Sequence, residues 1–520
     1  MNGIFENVIL NKSVGDEMNQ ILLEGEILAT DSSPDIAGIL KPTCNLFINK
    51  IEPSNNRLNY QGKLNIQLLY FSKKQGEDEK FIHNLSHTAN IDDFLNIEGV
   101  NSSSLAFLNA HIAHIDFRII NDRKIGYRAI VDIKANVEEN KSLEIVKRIE
   151  GLDDNQQKRS LISINKVALA SKGEFLVKED IELSQSKSAI KEVIQGSFSL
   201  NNRDIRSGAE RVNISGELNL SLLYLSQDDI IEFSSFDIPF SGAIDAAGAK
   251  ETDFAEADLA ILNNFISVLP NSSEENRILQ IEATILSDFK IAREQEVEFL
   301  EDAYAIEQNI GFKTDSVAYN ELICRNKNQF NVKELINIGD APTILQVLNA
   351  GGRAIIEDIR VLEDKIIAEG LIDGELLYLA KSDETPVYSH KLLIPFKQTL
   401  ETKGANANAK AEISHNLEHI GFNMLSESEV EIRFTLSFGA NVVVEKKANF
   451  ITEVEFSPFN QEEIDKLPSI SLISIEKSDS LWAIAKKYNA SIDELLSIND
   501  LETATDLTEG QKIIVLKKAV

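Results

Sequence analysis

The chain has 520 residues, length for about three or four domains, and 43% of them are hydrophobic, enough to build ordinary cores rather than a disordered chain. Against 52 Lys plus Arg stand 83 Asp plus Glu, a net charge of −31. Such a surface repels nucleic-acid phosphates and anionic lipid, and it favours a cationic partner.

The opening stretch, "MNGIFENVILNKSVGDEMNQ", places acidic residues early and has no apolar run of signal-peptide length. No stretch approaches the length of a membrane span. Cys44 and Cys324 are the only cysteines and fall in different parts of the chain, which reads as two reduced, buried thiols. The expectation is a cytosolic protein.

Next comes an internal repeat. Gly62…Tyr70, Gly216…Tyr224 and Gly370…Tyr378 recur at a fixed interval of 154 residues, inside "YQGKLNIQLLYFS", "ISGELNLSLLYLS" and "AEGLIDGELLYLA". The same interval links Ile36, Ile190 and Ile344, and Leu40, Ile194 and Leu348. Ahead of each Gly, "PDIAGIL", "SAIKEVI" and "PTILQVL" put Pro34, Ser188 or Pro342 where a first helical turn accepts them. Apolar residues four apart then predict a short helix pinned to the core in every copy. The Gly itself fits a bulge or a close backbone approach.

After the Gly the period is two: Leu64, Ile66, Leu68, Tyr70, and Leu218, Leu220, Leu222, Tyr224. Ile372, Leu376 and Tyr378 keep it in the third copy. A later strand alternates at Tyr127, Ala129, Val131, Ile133, at Leu279, Ile281, Ala283, Ile285, and at Val430, Ile432, Phe434, Leu436, Phe438. Period two buries one face and wets the other, as in an antiparallel sandwich or barrel. "EFLVKE", ending at Glu179, and "QFNVKE", ending at Glu334, open the second and third copies. The first copy lacks that phrase and the later Pro239-Phe240 and Pro395-Phe396 pairs.

The fold class is therefore mainly β: tandem antiparallel sandwich-like domains and a small C-terminal βααβ module. The expected units are a diverged domain at residues 1–150, domains at 165–305 and 320–456, a polar linker at 457–468 and the module at 469–518. In that module Leu481, Ile484, Ala485 and Tyr488 form one helical stripe. Ser491-x-x-Glu494 reads as a capping box for a second helix burying Ile492, Leu495 and Leu496, and Gly510 turns the chain into a closing strand, Ile513 to Leu516. From Ser469 onward six Lys face eight Asp plus Glu, so the module is nearly neutral beside an acidic array.

"SDSLWAIAKKYNASIDELLSIN" and "EGQKIIVL" resemble a LysM domain over essentially its whole length. In that family N-acetylglucosamine chains lie in a shallow groove between two loops, which here are Ser478-Asp479-Ser480 and Thr508-Glu509-Gly510. Both loops depart from the usual Gly-Asp-Thr and Pro-Gly-Gln, which disfavours glycan. Gly-x7-Tyr with "LLY" and a Pro-Phe strand resembles the SPOCS domain of Firmicute spore coat proteins. Three such copies ending in LysM are similar to the SipL and SpoVID group, nearest the clostridial SipL type. The resemblance implies a mother-cell protein that helps encase the forespore, with a SpoIVA-type coat morphogenetic ATPase bound to LysM and other coat proteins as further partners.

The expected partner-binding residues are Ile470, Lys477, Ser478, Asp479, Ser480, Trp482, Thr508, Glu509 and Gly510. Trp482, the single tryptophan, reads either as an exposed anchor or as a core residue. Lys477 reads either as a solvated Lys or as a contact to an acidic partner. No G-x4-G-K-[ST] loop or G-x-S-x-G elbow occurs. Gly351-Gly352 reads as a turn, and Glu294, Glu296 and Glu298 as a solvated face. His111/His114 and His415/His419 have ligand-like spacing but no third ligand nearby in sequence. No catalytic residue, metal or cofactor is expected. The competing reading is a LysM protein that binds peptidoglycan or cortex glycan.

Overall fold

A computed structural model describes residues 2–31, 33–72, 82–306, 308–381, 387–458, 468–477, 479–503 and 507–516. Six strands make the first repeat: β1 (Asn2–Leu28), β2 (Ile36–Ser54), β3 (Arg57–Ser72), β4 (Ile82–Asn96), β5 (Leu105–Asn121) and β6 (Lys124–Glu150). They form two three-stranded antiparallel sheets, β1-β6-β5 and β2-β3-β4. The second repeat, β7 (Gln157–Glu182), β8 (Ile190–Gly208), β9 (Arg211–Ser226), β10 (Ile231–Asp245), β11 (Phe254–Pro270) and β12 (Asn276–Ala303), has the same order. So has the third, β13 (Gln308–Asn337), β14 (Ile344–Leu362), β15 (Lys365–Ala380), β16 (Val387–Glu401), β17 (Lys410–Met424) and β18 (Glu429–Pro458). β7 and β13 thus begin ahead of the expected openings at 165 and 320, and "EFLVKE" and "QFNVKE" lie within them. Most of the expected linker lies outside the described residues.

The alternating strands behave as expected. Leu64, Leu218 and Leu376 are fully buried, as are Tyr70, Tyr224 and Tyr378, and the core of each repeat lies between its two sheets. The Tyr70 hydroxyl donates to the Pro34 carbonyl at 3.1 Å, and Tyr378 donates to that of Pro342 at 3.0 Å. Tyr224, whose repeat lacks that Pro, donates to Glu232 at 3.2 Å. The repeated Gly sits opposite a bulge: a Cβ at Gly370 would run into the Ile355 carbonyl oxygen, beside the shift between Ile356 and Asp358.

The expected short helices are strands. β2, β8 and β14 occupy those segments, each with two bulges close together. Each bulge adds a residue, so the period of two stretches to mimic a helical spacing. Ile36, Ile190 and Ile344 face their own repeat's core. Leu40, Ile194 and Leu348 are the extra residues of the second bulge and join a different cluster, with Leu69, Leu223 and Leu377. That cluster draws on all three repeats.

A second shared core lies where the long first and last strands of each repeat pair beyond the sandwich. Val8, Leu10, Ile145, Ile164, Val297, Phe299, Tyr319 and Phe450 meet there, with Phe299 edge-on to Phe450 at 4.8 Å. Hydrogen bonds cross all three seams: Asn45 Nδ2 to the Ile261 carbonyl at 3.2 Å, Asn416 Nδ2 to that of Leu200 at 3.3 Å, and Arg353 Nη1 to that of Ile112 at 3.1 Å. The third repeat therefore closes back on the first, around a pseudo-threefold arrangement.

Cys44 and Cys324 are free and half-buried, in different repeats. Burial pushes the Cys44 thiol up to about 12. Among the described residues no helix is long and apolar enough to cross a membrane.

Candidate functional site

The C-terminal module folds as β19 (Ile470–Ser474), α1 (Leu481–Tyr488), α2 (Ile492–Ile498) and β20 (Lys512–Leu516), the two strands antiparallel. Leu481, Ile484, Ala485, Leu495, Ile513 and Val515 form its core. Ser480 caps α1, accepting from the Ala483 amide at 3.1 Å. Ser491 holds the equivalent position on α2, but its side chain makes no cap hydrogen bond, so the expected capping box is not formed by it.

The expected site residues divide into three places. Lys477, Glu509 and Gly510 meet in a shallow groove with Ile475 and Glu476. Backbone bonds fix its lips: Gly510 N donates to the Ile475 carbonyl at 2.9 Å, and Ile475 N to that of Gln511 at 2.8 Å. Gly510 has φ of 82°, a conformation glycine adopts without cost. Asp479 accepts from the Glu476 amide at 2.9 Å, which shapes the loop, and Thr508 bonds to Gln511 at 3.0 Å. Ser478 lies outside the described residues.

Ile470 is at the far end of β19, roughly 17 Å along the strand from Ile475 at ordinary strand rise. It is 66% exposed, and with Leu472, Ile514 and Leu516 it forms an apolar outer face on the two-stranded sheet. The structure therefore does not bring Ile470 to the groove lips.

Trp482 occupies a third place. Its indole N–H donates to Asp302 Oδ2 at 3.0 Å, and Lys486, one turn on, reaches Asp302 Oδ1 at 2.5 Å. Tyr304 packs edge-on against Trp482 at 5.2 Å, and its hydroxyl donates to the Ala490 carbonyl at 3.0 Å. Burial pushes the pKa of the Tyr304 hydroxyl upward and keeps it neutral. The module is thus docked by its first helix on the end of β12. Sequence reasoning missed Asp302 and Tyr304; the visible signal was Trp482 and Lys486 four apart on one helical face.

Family models match these elements. The SipL, SPOCS domain model matches residues 35–120, 189–269 and 343–425, and the LysM domain model matches 473–515. The chain belongs to the SPOCS-plus-LysM proteins of the SipL type. Each SPOCS match spans the four inner strands of a repeat and leaves out most of the long outer pair, β1 with β6 in the first copy. Both families are non-catalytic and fit a sporulation-associated protein. No curated protein and no solved structure matches the chain.

The histidines with ligand-like spacing do not converge. His111 contacts Asp132 at 3.3 Å, His114 contacts Asp116 at 2.6 Å, and His415 Nε2 lies 3.2 Å from the Ala354 carbonyl. Among the described residues no group of three His, Cys, Asp or Glu is placed to hold a metal ion.

Proposed function

We propose that this SPOCS-plus-LysM protein is a non-enzymatic adaptor in spore coat assembly. In the mother cell it binds a SpoIVA-type morphogenetic ATPase through its LysM module, and the acidic body recruits further coat proteins to the forespore surface. One observation carries the reading. The module is docked through α1, and its apolar face of Ile470, Leu472, Ile514 and Leu516 stays exposed with the module docked. An exposed apolar face that also carries Lys512, with Lys477 at the separate groove, suits a protein surface better than a sugar chain.

A second reading keeps the usual LysM ligand. Ile475, Glu476, Lys477, Glu509 and Gly510 form a groove between the same two loops that hold glycan in the family. The full chain distinguishes the two when offered purified peptidoglycan and, separately, the purified ATPase. Retention by the ATPase alone, weakened by Leu472→Ser and Lys477→Ala, supports the adaptor. Retention on glycan alone removes it.

A further inference from the structure

The three seams between repeats are built from equivalent positions and closed by different chemistry. At the third–first seam Lys41 of the first repeat pairs with Glu375 of the third at 3.1 Å, and Arg353, paired with its strand neighbour Asp373, donates to the Ile112 carbonyl at 3.1 Å. At the second–third seam Glu418, 4% exposed, accepts from the Asn202 amide at 2.6 Å and from Ser437 at 2.5 Å. At the first–second seam the counterparts of Lys41 and Glu375 are Gln195 and Gln67, and those of Arg353 and Asp373 are Asn45 and Asn65. No ion pair closes it among the described residues of those positions.

A cleft of about 270 Å³ remains there, between the face of β2-β3-β4 and strands β8 and β11. Asn45, Asn65, Gln67, Thr88, Asn263 and Asn264 line it, with Phe198 as an aromatic surface. Among the described residues no carboxylate lines it, in a chain of net charge −31, and Lys63 and His87 are the ionisable groups in its lining. Two buried polar atoms at this seam lack a hydrogen-bond partner: Thr43 Oγ1 in the wall, and Nε2 of Gln195, which is 6% exposed and precedes the lining residue Gly196. Buried donors without acceptors are rare unless something else satisfies them.

A cation would find no carboxylate in this cleft, and an anion would find one lysine. Amides and hydroxyls both donate and accept, and Phe198 offers an apolar face. That set suits a neutral ligand dense in hydroxyl groups with one apolar side. We infer that the cleft between the first and second repeats is a saccharide site holding one hexose unit, free or at the end of a glycan. It is separate from the LysM groove and uses none of its residues.

The test is saturation-transfer NMR on the full chain with glucose, galactose and N-acetylglucosamine, and with short oligosaccharides of each. Gln195→Lys with Gln67→Glu imports the ion pair of the third–first seam and fills the cleft in a form the fold already accepts. Transfer to at least one sugar is expected, falling by about tenfold or more in the double variant and unchanged in Lys477→Ala. Equal transfer to monomer and oligomer indicates a free sugar, and transfer to the oligomer alone indicates a glycan end. Should the double variant fail to melt cooperatively, Asn264→Ala, at an exposed lining position, serves instead. No transfer to any sugar at millimolar concentration overturns the site, leaving water as the occupant. Transfer that survives both cleft variants overturns it too, and places the sugar in the LysM groove.

Discussion

Leu348 tests the closure of the three repeats directly. It is 1% exposed, and its neighbours in the shared cluster include Ile194 and Leu223 of the second repeat and Leu69 of the first. Leu348→Ala removes three carbons from a fully buried site, a transfer loss of about 2.4 kcal/mol at about 0.8 kcal/mol per carbon. A cavity shared by three rigid sheets collapses poorly, which brings the expected cost to about 3–4 kcal/mol. The control is Leu393→Ala, where the side chain is 69% exposed and the expected change is under about 0.5 kcal/mol. Urea titration followed by far-UV circular dichroism reads both, and limited proteolysis of the Leu348 variant should release the third repeat first. If Leu348→Ala costs no more than Leu393→Ala, the repeats do not meet through the bulge residues and the closed arrangement is wrong.

Asp302→Ala removes the acceptor shared by Trp482 and Lys486, partly exposed groups, and should weaken module docking by about 1–2 kcal/mol. Trp482 is the only tryptophan, so a red-shifted emission with easier acrylamide quenching is expected, and an unchanged spectrum counts against the docked pose. Gly370→Ala drives a methyl group onto the Ile355 carbonyl and should cost several times the roughly 1 kcal/mol expected for Gly510→Ala, where only a positive φ of 82° is strained; similar melting shifts would refute the bulge packing. Burial pushes Tyr60, Tyr224 and Tyr378 from 10 up to about 12. Their neutral form is favoured by folding, so this stability is intact below pH 10 and is lost as pH rises from 10 towards 12. Absorbance at the tyrosinate band should therefore rise late and together with unfolding, and early titration of all the tyrosines in a folded chain would contradict it.

The repeat and its strands were legible because burial between two sheets imposes a period of two on Leu64 to Tyr70 and its counterparts. The Gly was legible because a backbone opposite a bulge leaves no room for a side chain. The helices expected at Ile36, Ile190 and Ile344 failed for a specific reason. Two adjacent bulges imitate a helical spacing, and nothing local distinguishes the two. The interval linking Leu40, Ile194 and Leu348 was visible, but which face those residues present depends on the bulge, so the contact between repeats was hidden. The LysM groove was legible from its loops. Its docking on Asp302 was not, since the two partners lie 180 residues apart and Asp302 belongs to no motif.

Closure of the three repeats also fixes the valency of the molecule. A symmetric trimer of separate chains would carry three LysM modules, whereas this body carries one, tied to the end of the second repeat. A single module gains avidity only when many bodies stand side by side on one lattice. Under the proposed function, accumulation then follows how densely the partner displays its binding sites, and a sparse display would hold the protein only briefly.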